Sequence, residues 1–577
     1  MRKFRWQILI VLLALVAIAI LLLGQQPNLL PVVQEVQPTT GGTYTEAVVG
    51  SPGRFNPLLD FYNPVDRDVD RLIFSGLVRM DDRGLSQPDL IESMGISRDG
   101  QVYNFSLRPN AVWHDGEPVT SADVIFTIEM LRNADLPVPP DVRELWTEVE
   151  VEALDDKTLQ FRLPEPYAPF LDHLTFGILP SHLLGDLSAE QLIAADFNLA
   201  PVGSGPYRFE NLIIEEGEIA GVALRAFEDY YSNPAFIEEV IYRYYPDAQA
   251  AFSAYQAEEV QGINQIPPEL LAGALAEPDL NLYTGRLPQM TMILLNLDNP
   301  EVPFFQDANV RRALLMGINR QRLIDDLLQG QAIIADGPIF PDTWAYFENI
   351  ERVNYDPEGA IALLREAGYT IPAEGGTVRA DDEGVFLSFE LTYPEGGVHD
   401  ALVEAIARDW QRLGVEVETT PVPYEELVAD NLDPRIYQAA LVDLNLTRSP
   451  DPDPYAFWHQ TQITGGQNYS KWDDRPASEY IEQARVTADI AERTRLYRNF
   501  QVRFTGEMPA LPMFYPVYTY GVDERVQGVT MGPLFDTSDR YATVTDWFLQ
   551  ASQAVSDAGT PEGETADTSE SQPAGTP

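Results

Sequence analysis

A strand, a helix and a second strand follow one another with short connections in the later part of this sequence. The alternation of apolar and polar side chains from Phe386 to Tyr393 predicts the first strand. The amphipathic segment from Ala401 to Leu413 predicts a helix, which Gly414 would close. A second, short strand is predicted from Val415 to Glu418. This order of elements predicts a mixed α/β sheet.

The chain is too long for one hydrophobic core. Single cores stop growing at roughly 250–300 residues, and this sequence has 577. Apolar residues make up 45% of it, with 26 Tyr and 26 Phe among them, so material for burial is ample. We therefore expect more than one separately packed unit.

Charge and cysteine content exclude several classes of function. The 89 acidic residues against 38 basic ones give a formal net charge of −51, which repels nucleic acid. A solvated acidic surface is the simplest interpretation of that balance. The chain has no cysteine, which excludes disulfides, thiolate metal sites, a cysteine nucleophile and a thioether-linked lipid anchor.

The first residues have the character of a membrane-targeting segment. Three basic residues precede an apolar run of sixteen residues from Ile8 to Leu23. As a helix this run would rise about 24 Å, slightly short of a hydrocarbon core of roughly 30 Å. The following residues offer a poor cleavage site, so an uncleaved signal anchor over residues 1–24 is favoured over a removed signal peptide. In both cases everything after the positively charged flank is exported.

Two further terminal segments lack the pattern of a packed core. Residues 25–42 contain Gln, Pro, Thr and Gly with little periodicity and are predicted to form a linker. Residues 550–577 are rich in Ser, Thr, Gly, Pro and Ala with several acids, and we predict a disordered tail.

Four helix starts are predicted from capping residues. Thr120 with Asp123 forms a capping-box pattern for a helix that runs to about Asn133. Asp307 is expected to cap Ala308 to Gly317, and Asn319 to cap Arg320 to Gln329. Asp356 precedes a proline at the first helical position, and Gly368 ends that helix.

The most specific pattern lies between Arg71 and Leu131. It contains a short apolar run, a turn, a tyrosine-bearing strand, the hexapeptide WHDGEP at 113–118 and the helix opened by Thr120. Other blocks follow along the chain, and each alone is weak. They are FNPL at 55–58, PVGSGPY at 201–207, DANVRRAL at 307–314, YDPE at 355–358, LLREAGY at 363–369, DPDPY at 451–455 and GQNY at 466–469.

Taken in this order, the blocks closely resemble the family-5 extracellular solute-binding proteins, the oligopeptide- and dipeptide-binding components of ABC importers. The resemblance covers almost the whole exported part of the chain. Two positions depart from the family pattern: Ser204 stands where threonine is usual, and Asn319 stands where aspartate is usual.

The resemblance implies an α/β, two-lobed periplasmic-binding-protein-like fold of the class II type, here preceded by an N-terminal membrane helix. Ligand binding would shift an open–closed equilibrium about a hinge, and the membrane permease would recognise the closed form. The implied division is lobe I at 43–78, 201–286 and 515–549, an inserted subdomain of lobe I at 79–200, and lobe II at 287–514.

The resemblance also implies a set of ligand-binding residues. An aspartate of lobe II would pair with the α-ammonium of a bound peptide, and Asp451 is the first candidate, with Asp453 and Asp443 as competitors. The alternative for Asp451 is an exposed Asp-Pro turn, and for the aromatic candidates it is an ordinary place in the core. The complete set is Asp60, Phe61, Tyr62, Trp146, Asp451, Trp458, Asn468 and Tyr469.

Enzymatic motifs are weak in this sequence. His114 beside Asp115 is more simply a structural residue, and the five histidines show no metal-ligand spacing. Gly203-Ser204-Gly205 belongs to the PVGSGPY block and not to a nucleophile elbow. We predict no catalytic residue, no metal site and no cofactor, with an anchored extracellular hydrolase as a remote alternative.

The predicted role is therefore capture of a solute outside the cytoplasm. We expect a monomer at the outer face of a bacterial cell membrane, with a peptide as ligand, ABC permease subunits as partners and no nucleic acid. Oligosaccharides and a nickel chelate remain alternative ligands, because the sequence does not place the side chains of the cleft. A structural or sensory membrane-anchored module that uses the same fold is a third possibility.

Overall fold

The computed structural model describes residues 38–81, 83–446 and 451–550. The predicted signal anchor at 1–24, most of the linker at 25–42 and nearly all of the tail at 550–577 lie outside these ranges and stay predictions. Within the described ranges, no helix is both long enough and apolar enough to cross a membrane.

The strands of the described ranges are short at the start of the chain and longest near its end. They are β1 Thr43–Val49, β2 Val78–Met80, β3 Ser86–Pro88, β4 Ile91–Ile96, β5 Val102–Leu107, β6 Glu150–Asp155, β7 Thr158–Arg162, β8 Tyr207–Glu215, β9 Glu218–Ala226, β10 Glu239–Tyr245, β11 Gly262–Ile263, β12 Leu280–Arg286, β13 Gln289–Leu295, β14 Ala332–Ile334, β15 Ser388–Pro394, β16 Glu416–Val422, β17 Ala439–Asn445, β18 Ala510–Asp523, β19 Val526–Gln527 and β20 Phe548–Leu549.

Helices alternate with these strands. The α-helices are α1 Pro64–Ile73, α2 Ser121–Arg132, α3 Pro140–Glu148, α4 Ser181–Leu184, α5 Ala189–Ile193, α6 Ala248–Gln256, α7 Pro268–Ala274, α8 Ala308–Gly317, α9 Arg320–Leu327, α10 Pro357–Glu366, α11 Gly397–Leu413, α12 Tyr424–Glu426, α13 Tyr455–Trp458, α14 Arg475–Val486 and α15 Ile490–Glu507. Short helical segments of other types are Ala168–Leu174, Asp196–Leu199, Pro303–Gln306, Leu427–Leu432, Gln460–Ile463, Thr537–Tyr541 and Val544–Asp546.

The capping residues mark the helix starts as predicted. Thr120 and Asp123 form the capping box of α2, and Asp307 accepts a hydrogen bond from the backbone of Asn309 at the start of α8. Asn319 caps α9 in the same manner, but that helix ends at Leu327, two residues before the predicted end. The prediction of mixed α/β structure is confirmed, since β15, α11 and β16 form a parallel crossover.

Twelve strands in the described ranges form one mixed sheet, and β18 is the strand that joins its two halves. The order is β16-β15-β17-β13-β18-β11-β1-β10-β9-β8, with β12 and β14 also paired to β18. The first residues of β18 pair with β13 and β14, whereas its residues from Val517 onwards pair with β12 and β11. This change of partner lies close to the predicted lobe boundaries at 286/287 and 514/515. The division into lobes itself stays a prediction.

The buried apolar residues form separate cores. The first core combines β1, β10 and α1 with the small antiparallel sheet β4-β5-β7-β6 and the segment 518–547. The second and third cores lie wholly between residues 290 and 515. Alternate residues of β13 enter these two cores, Ile293 and Leu295 the second, Met292 and Leu294 the third, as expected for a strand buried on both faces. A small fourth core packs α6 against the sheet.

The PVGSGPY block runs against the end of α1. A Cβ atom on Gly203 would lie 2.0 Å from the backbone oxygen of Ile73, and one on Gly205 would lie 2.4 Å from that of Leu72. Only glycine allows the two backbones to approach so closely. His114 completes the contact, since its Nδ1 accepts a hydrogen bond from Gly203 N at 3.2 Å and its Nε2–H donates to Gly205 O at 3.1 Å.

His114 is expected to stabilise the fold as a neutral imidazole. Burial lowers its pKa to about 4. The stability that the neutral His114 ring contributes is therefore fully present above about 6.5, the pKa of a histidine in the unfolded chain. That stability is lost as the pH falls through about 4. We expect His114→Ala to lower the free energy of unfolding at pH 7 by about 1–3 kcal/mol, and by less at pH 4, measured by urea titration. His182→Ala is the control because His182 is partly exposed, and an equal loss in both variants would contradict this role.

Candidate functional site

Three of the predicted ligand-binding residues line one cavity of about 570 Å³. They are Asp60, Phe61 and Trp146. Tyr62, the next residue, is 75% exposed and does not line it. The volume lies in the range of roughly 300–1,000 Å³ that is usual for ligand pockets.

The loop at residues 60–62 is held by the first turn of α1. Arg67 donates hydrogen bonds to the backbone oxygens of Asp60 at 3.2 Å and Phe61 at 3.1 Å. The same guanidinium forms an ion pair with Asp536, in the chain segment that returns to the first core. The loop is thereby fixed between an early helix and a late segment, which gives the cavity a preformed wall.

Trp146 forms another part of the cavity wall. It is 1% exposed and belongs to α3. Its ring meets Phe176 edge-on at 5.4 Å and lies 6.0 Å from Phe170. Arg132 donates a hydrogen bond to the backbone oxygen of Trp146 at 2.7 Å. Trp146 is therefore both a core residue and a cavity residue.

Seven polar side chains meet where the turn Ala168–Leu174 contacts α14. Asp172 and His173 also line the cavity, so this cluster adjoins it. We call the cluster the carboxylate junction, and it consists of Tyr167, Asp172, His173, Asp451, Asp453, Arg485 and Arg493.

Asp451 is buried in the junction and does not lie on an exposed turn. Its carboxylate accepts a hydrogen bond from Arg493 at 2.7 Å, and the Tyr497 hydroxyl lies at 3.4 Å. Arg493 and Tyr497 are four residues apart on α15, so that one face of the helix presents both. Side-chain exposure is 4% for Asp451 and 5% for Arg493. The ion pair is therefore shielded from water.

Asp172 approaches Asp451 from the other side of the junction. Ser86 donates a hydrogen bond to the Asp172 carboxyl group. Burial raises the pKa of Asp172 well above its usual range, and the charge of Asp451 raises it further. The neighbouring His173 has a pKa lowered by burial, and its Nε2 lies 3.2 Å from the Tyr167 hydroxyl.

Asp453 and Arg485 form the second ion pair of the junction, with 3.0 Å between Nε and Oδ2. The guanidinium stacks on Tyr455 at 4.1 Å and lies 5.1 Å from the ring of Tyr167. Burial raises the pKa of Asp453 to about 6, although Arg485 opposes the rise. Tyr167 and Asp453 belong to opposite sides of the junction, so Arg485 connects these sides.

Among the residues that the structure describes, the junction holds three carboxyl groups and two guanidinium groups. His173 adds no positive charge to them, because its lowered pKa favours the neutral ring. This excess of described carboxyl groups favours a proton on one of them or a cation from outside. Chemically, the junction is suited to an ammonium group of a ligand.

The remaining predicted residues lie in the third core and not at the cavity. Trp458 is 3% exposed and meets Phe504 edge-on at 4.8 Å. Asn468 is fully buried and donates to the backbone oxygen of Trp472 at 2.9 Å. The Tyr469 hydroxyl donates to Asp433 at 3.0 Å, and the guanidinium of Arg435 stacks on its ring at 4.6 Å. In this structure, these three residues stabilise the chain segment at and after α13.

The competing aspartate Asp443 has other partners. His399 Nε2 and the Asp443 carboxylate are 2.8 Å apart, and Thr291 donates to the same carboxylate at 2.5 Å. Asp443 is more exposed than Asp451, with 44% of its side chain accessible. Neither Asp443 nor Asp451 is among the residues that line the cavity, but Asp451 belongs to the junction that adjoins it.

A second cavity, of about 1580 Å³, lies over β12, β14 and β18. The predicted site residues are not among those that line it. Tyr515 lines it, but the hydroxyl donates to the backbone oxygen of Gly337 at 2.7 Å and is thereby fixed. Among the residues with described positions, no cluster of three or more His, Asp or Glu side chains could hold a metal ion.

Sequence reasoning missed the other members of the junction. Asp172, Arg485 and Arg493 stand in no recognisable motif, and only their spatial meeting with Asp451 distinguishes them. One weak signal existed in the spacing of Arg493 and Tyr497, which places both on one helix face. The turn that carries Asp172 and His173 gave no such signal, because contacts between distant parts of the chain leave no periodic pattern in the sequence.

Comparisons with known proteins agree on one family. The family model described as "Bacterial extracellular solute-binding proteins, family 5 Middle" matches residues 86–467. The dipeptide-binding protein of Escherichia coli (strain K12) is 27% identical over 508 residues, which cover 84% of this chain and 91% of that protein.

Two solved structures extend the comparison. The oligopeptide-binding protein AppA from Bacillus subtilis, in complex with a nonapeptide, has a TM-score of 0.64 at 25% identity and covers 89% of this chain and 100% of its own. NikZ from Campylobacter jejuni, in complex with Ni(L-His), has a TM-score of 0.65 at 25% identity and covers 88% of this chain and 99% of its own.

Proposed function

Because the chain belongs to the family-5 extracellular solute-binding proteins, the extracytoplasmic binding components of ABC importers, we propose that it captures peptides at the cavity and the adjoining carboxylate junction and delivers them to a membrane permease. The observation that carries this proposal is the excess of carboxyl groups over guanidinium groups among the described residues of the junction. A buried site with that charge suits the α-ammonium of a peptide. Asp451, with Asp172 opposite it, is the proposed acceptor.

The cavity walls support a peptide ligand over the alternatives. The loop at 60–62 presents backbone groups near Asp60 and Phe61, and Trp146 supplies an apolar face. An oligosaccharide would call for exposed aromatic platforms and few buried charges, whereas the junction is dense in charge. For a nickel chelate, the cavity offers the imidazole of His173, but its Nε2 already faces Tyr167.

We further propose that capture closes two lobes around the ligand without chemical change to it. The crossings between the two halves of the sheet, near residue 287 and within β18, would confine the strain of closure to a few residues. Lobe I would comprise 43–78, 201–286 and 515–549 with the inserted subdomain 79–200, and lobe II would comprise 287–514. A monomer fits one-to-one delivery to a permease. The segment 1–24 would anchor the protein at the outer face of the membrane.

Peptides are expected to raise the melting temperature of the exported part, residues 43–549. A ligand that binds only the folded state at 100 times its Kd adds about 2.7 kcal/mol to the free energy of unfolding. We would measure thermal unfolding with a library of short peptides, the same library acetylated at the amino terminus, a set of oligosaccharides and nickel with histidine. Stabilisation by free-amine peptides supports the proposal. Stabilisation only by oligosaccharides or by the nickel complex contradicts it.

A further inference from the structure

We infer that the contact of the Arg485 guanidinium group with the Tyr167 ring stabilises the closed form of the protein and so sets the affinity for every enclosed ligand by a common factor. The inference rests on the proposed closure of two lobes, and it names the residue pair that controls this closure. We call the pair the closing contact. Arg485 would be a positioning residue, because it acts through closure and not by touching the ligand.

The first step of the argument is that Arg485 connects two separately packed cores. It lies in the last turn of α14. The Tyr167 ring packs against the first core, and the Tyr455 ring packs against the third. The guanidinium carbon lies 5.1 Å from the centroid of the Tyr167 ring and 4.1 Å from that of the Tyr455 ring. Both distances are within the range of about 6 Å at which an aromatic face attracts a guanidinium group.

The second step is that residues of its own side orient the guanidinium group of Arg485. Its Nε lies 3.0 Å from Asp453 Oδ2, and the Asp453 carboxylate accepts a hydrogen bond from the backbone N–H of Tyr455 at 3.1 Å. These contacts persist if Tyr167 moves away, because Asp453, Tyr455 and Arg485 all belong to the third-core side. A side chain that is already oriented loses less conformational entropy when its partner arrives.

Tyr167 is held by the opposite side in a similar manner. Its hydroxyl lies 3.2 Å from His173 Nε2, and the two rings stack with their centroids 5.8 Å apart. The segment Ala168–Leu174, which follows Tyr167, places Phe170 and Leu174 in the first core. Tyr167 should therefore move together with the first core when the two sides separate.

The third step concerns the place of the closing contact in the fold. Strand β18 belongs to both halves of the large sheet and would stay paired with β12 and β13 in either form. Helix α14 also contacts the segment Ala168–Leu174, and these two elements share no strand pairing. They can therefore separate without breaking the sheet, whereas Arg485 would lose the Tyr167 ring.

A contact of this kind changes affinity without changing ligand preference. It raises the ratio of closed to open molecules, and a ligand that requires closure then binds with a lower apparent Kd. Because both faces of the guanidinium group touch the protein's own rings, this factor does not depend on the chemical groups of the ligand. Loss of one cation–π contact should lower the ratio of closed to open molecules about 3- to 30-fold.

Closure can be measured without any ligand. Since the native chain has no cysteine, spin labels can be attached to the full chain at Leu154→Cys and Val502→Cys, which are each 53% exposed. The first position lies on β6 and the second on α15, one on each side of the junction. Pulsed electron resonance would give the population at the distance found in this structure. We expect Arg485→Ala to lower that population in favour of longer distances.

Variants of both partners make this measurement specific. Tyr167→Leu should lower the closed population as Arg485→Ala does, and the double variant should show no further loss, because both substitutions remove the same contact. Tyr167→Phe keeps the aromatic face and should retain most of the closed population. Arg475→Gln is the control, because Arg475 lies on the same helix but pairs with Glu479 at the surface. Unchanged distances in both Arg485→Ala and Tyr167→Leu, additive losses in the double variant, or an equal loss in Arg475→Gln would overturn the inference.

Binding provides a second readout that separates closure from ligand contact. The probes are the library peptides that raise the melting temperature, each with a free and with an acetylated amino terminus. Calorimetry should show that Arg485→Ala weakens all of them by one common factor. A loss confined to free-amine peptides would make Arg485 a ligand-contacting residue and would contradict the inference. If no peptide bound at all, the proposed function would fail, whereas the ligand-free distances would still decide on the closing contact.

Discussion

Replacing Arg540 with methionine is expected to lower the free energy of unfolding by about 3–5 kcal/mol, the usual cost of removing one partner from a buried ion pair. Arg540 is 1% exposed, and its guanidinium donates to Glu46 at 2.7 Å and to Asp68 at 2.6 Å. Without it, two carboxylates remain buried beside one another. Because single domains are stable by only about 5–15 kcal/mol, this is among the largest effects that one substitution should have here.

The effect of Arg540→Met should depend on pH. Burial raises the pKa of Asp68 to about 6, even though Arg540 opposes the rise. A raised carboxyl pKa means that the contribution of Asp68 to stability is fully present below its unfolded pKa of about 3.9 and is lost as the pH rises through about 6. The variant should therefore be more strongly destabilised at pH 8 than at pH 5, where Asp68 can bind a proton.

Urea titration at the two pH values provides the measurement. Arg225→Met is a matched control, because Arg225 pairs with Glu210 at the surface, with 37% and 34% of the side chains exposed. Such exposed pairs contribute little to stability, because water and salt screen them. An unfolding midpoint of Arg540→Met equal to that of Arg225→Met would show that the buried network does not stabilise the fold.

The second large effect concerns ligand choice. Asp451→Asn is expected to weaken binding of free-amine peptides by about 2–5 kcal/mol, while acetylated peptides, which cannot form the ion pair, lose much less. The physical reason is that the amide cannot neutralise a buried ammonium group. Binding would be measured by calorimetry with matched free and acetylated peptides.

Asp443→Asn serves as the comparison for this variant. Asp443 pairs with His399 and Thr291 and lies outside the carboxylate junction, so we expect Asp443→Asn to leave the preference for free amines unchanged. If Asp451→Asn weakened the binding of free and acetylated peptides equally, Asp451 would not be the residue that binds the ammonium group. A loss of the preference in Asp443→Asn alone would assign that role to Asp443.

Local elements of this fold could be predicted because their causes are local. A capping side chain and the backbone it caps are within three residues, as at Thr120 and Asp307. In the crossover β15-α11-β16, apolar and polar side chains alternate along the strand and follow an amphipathic pattern along the helix. These local patterns predict the crossover without knowledge of the rest of the fold. The end of α9 was placed too late because Leu328 and Gln329 leave the helical conformation before Gly330.

The site could be predicted only in part, because its geometry depends on contacts across the fold. A sequence pattern indicated Asp451 but not its partners Asp172 and Arg493. Trp458 and Asn468 follow Asp451 closely in the sequence, yet Trp458 packs in the third core and Asn468 is buried against the backbone of Trp472. Proximity in the sequence therefore did not imply proximity at the site.

The most direct test of the account is native mass spectrometry of the protein purified without denaturation, followed by release and identification of what it carries. The account predicts short peptides with free amino termini, bound one per chain and recovered uncleaved. Recovery of a sugar or a metal chelate in place of peptides, or of peptides cut during incubation with the protein, would contradict it.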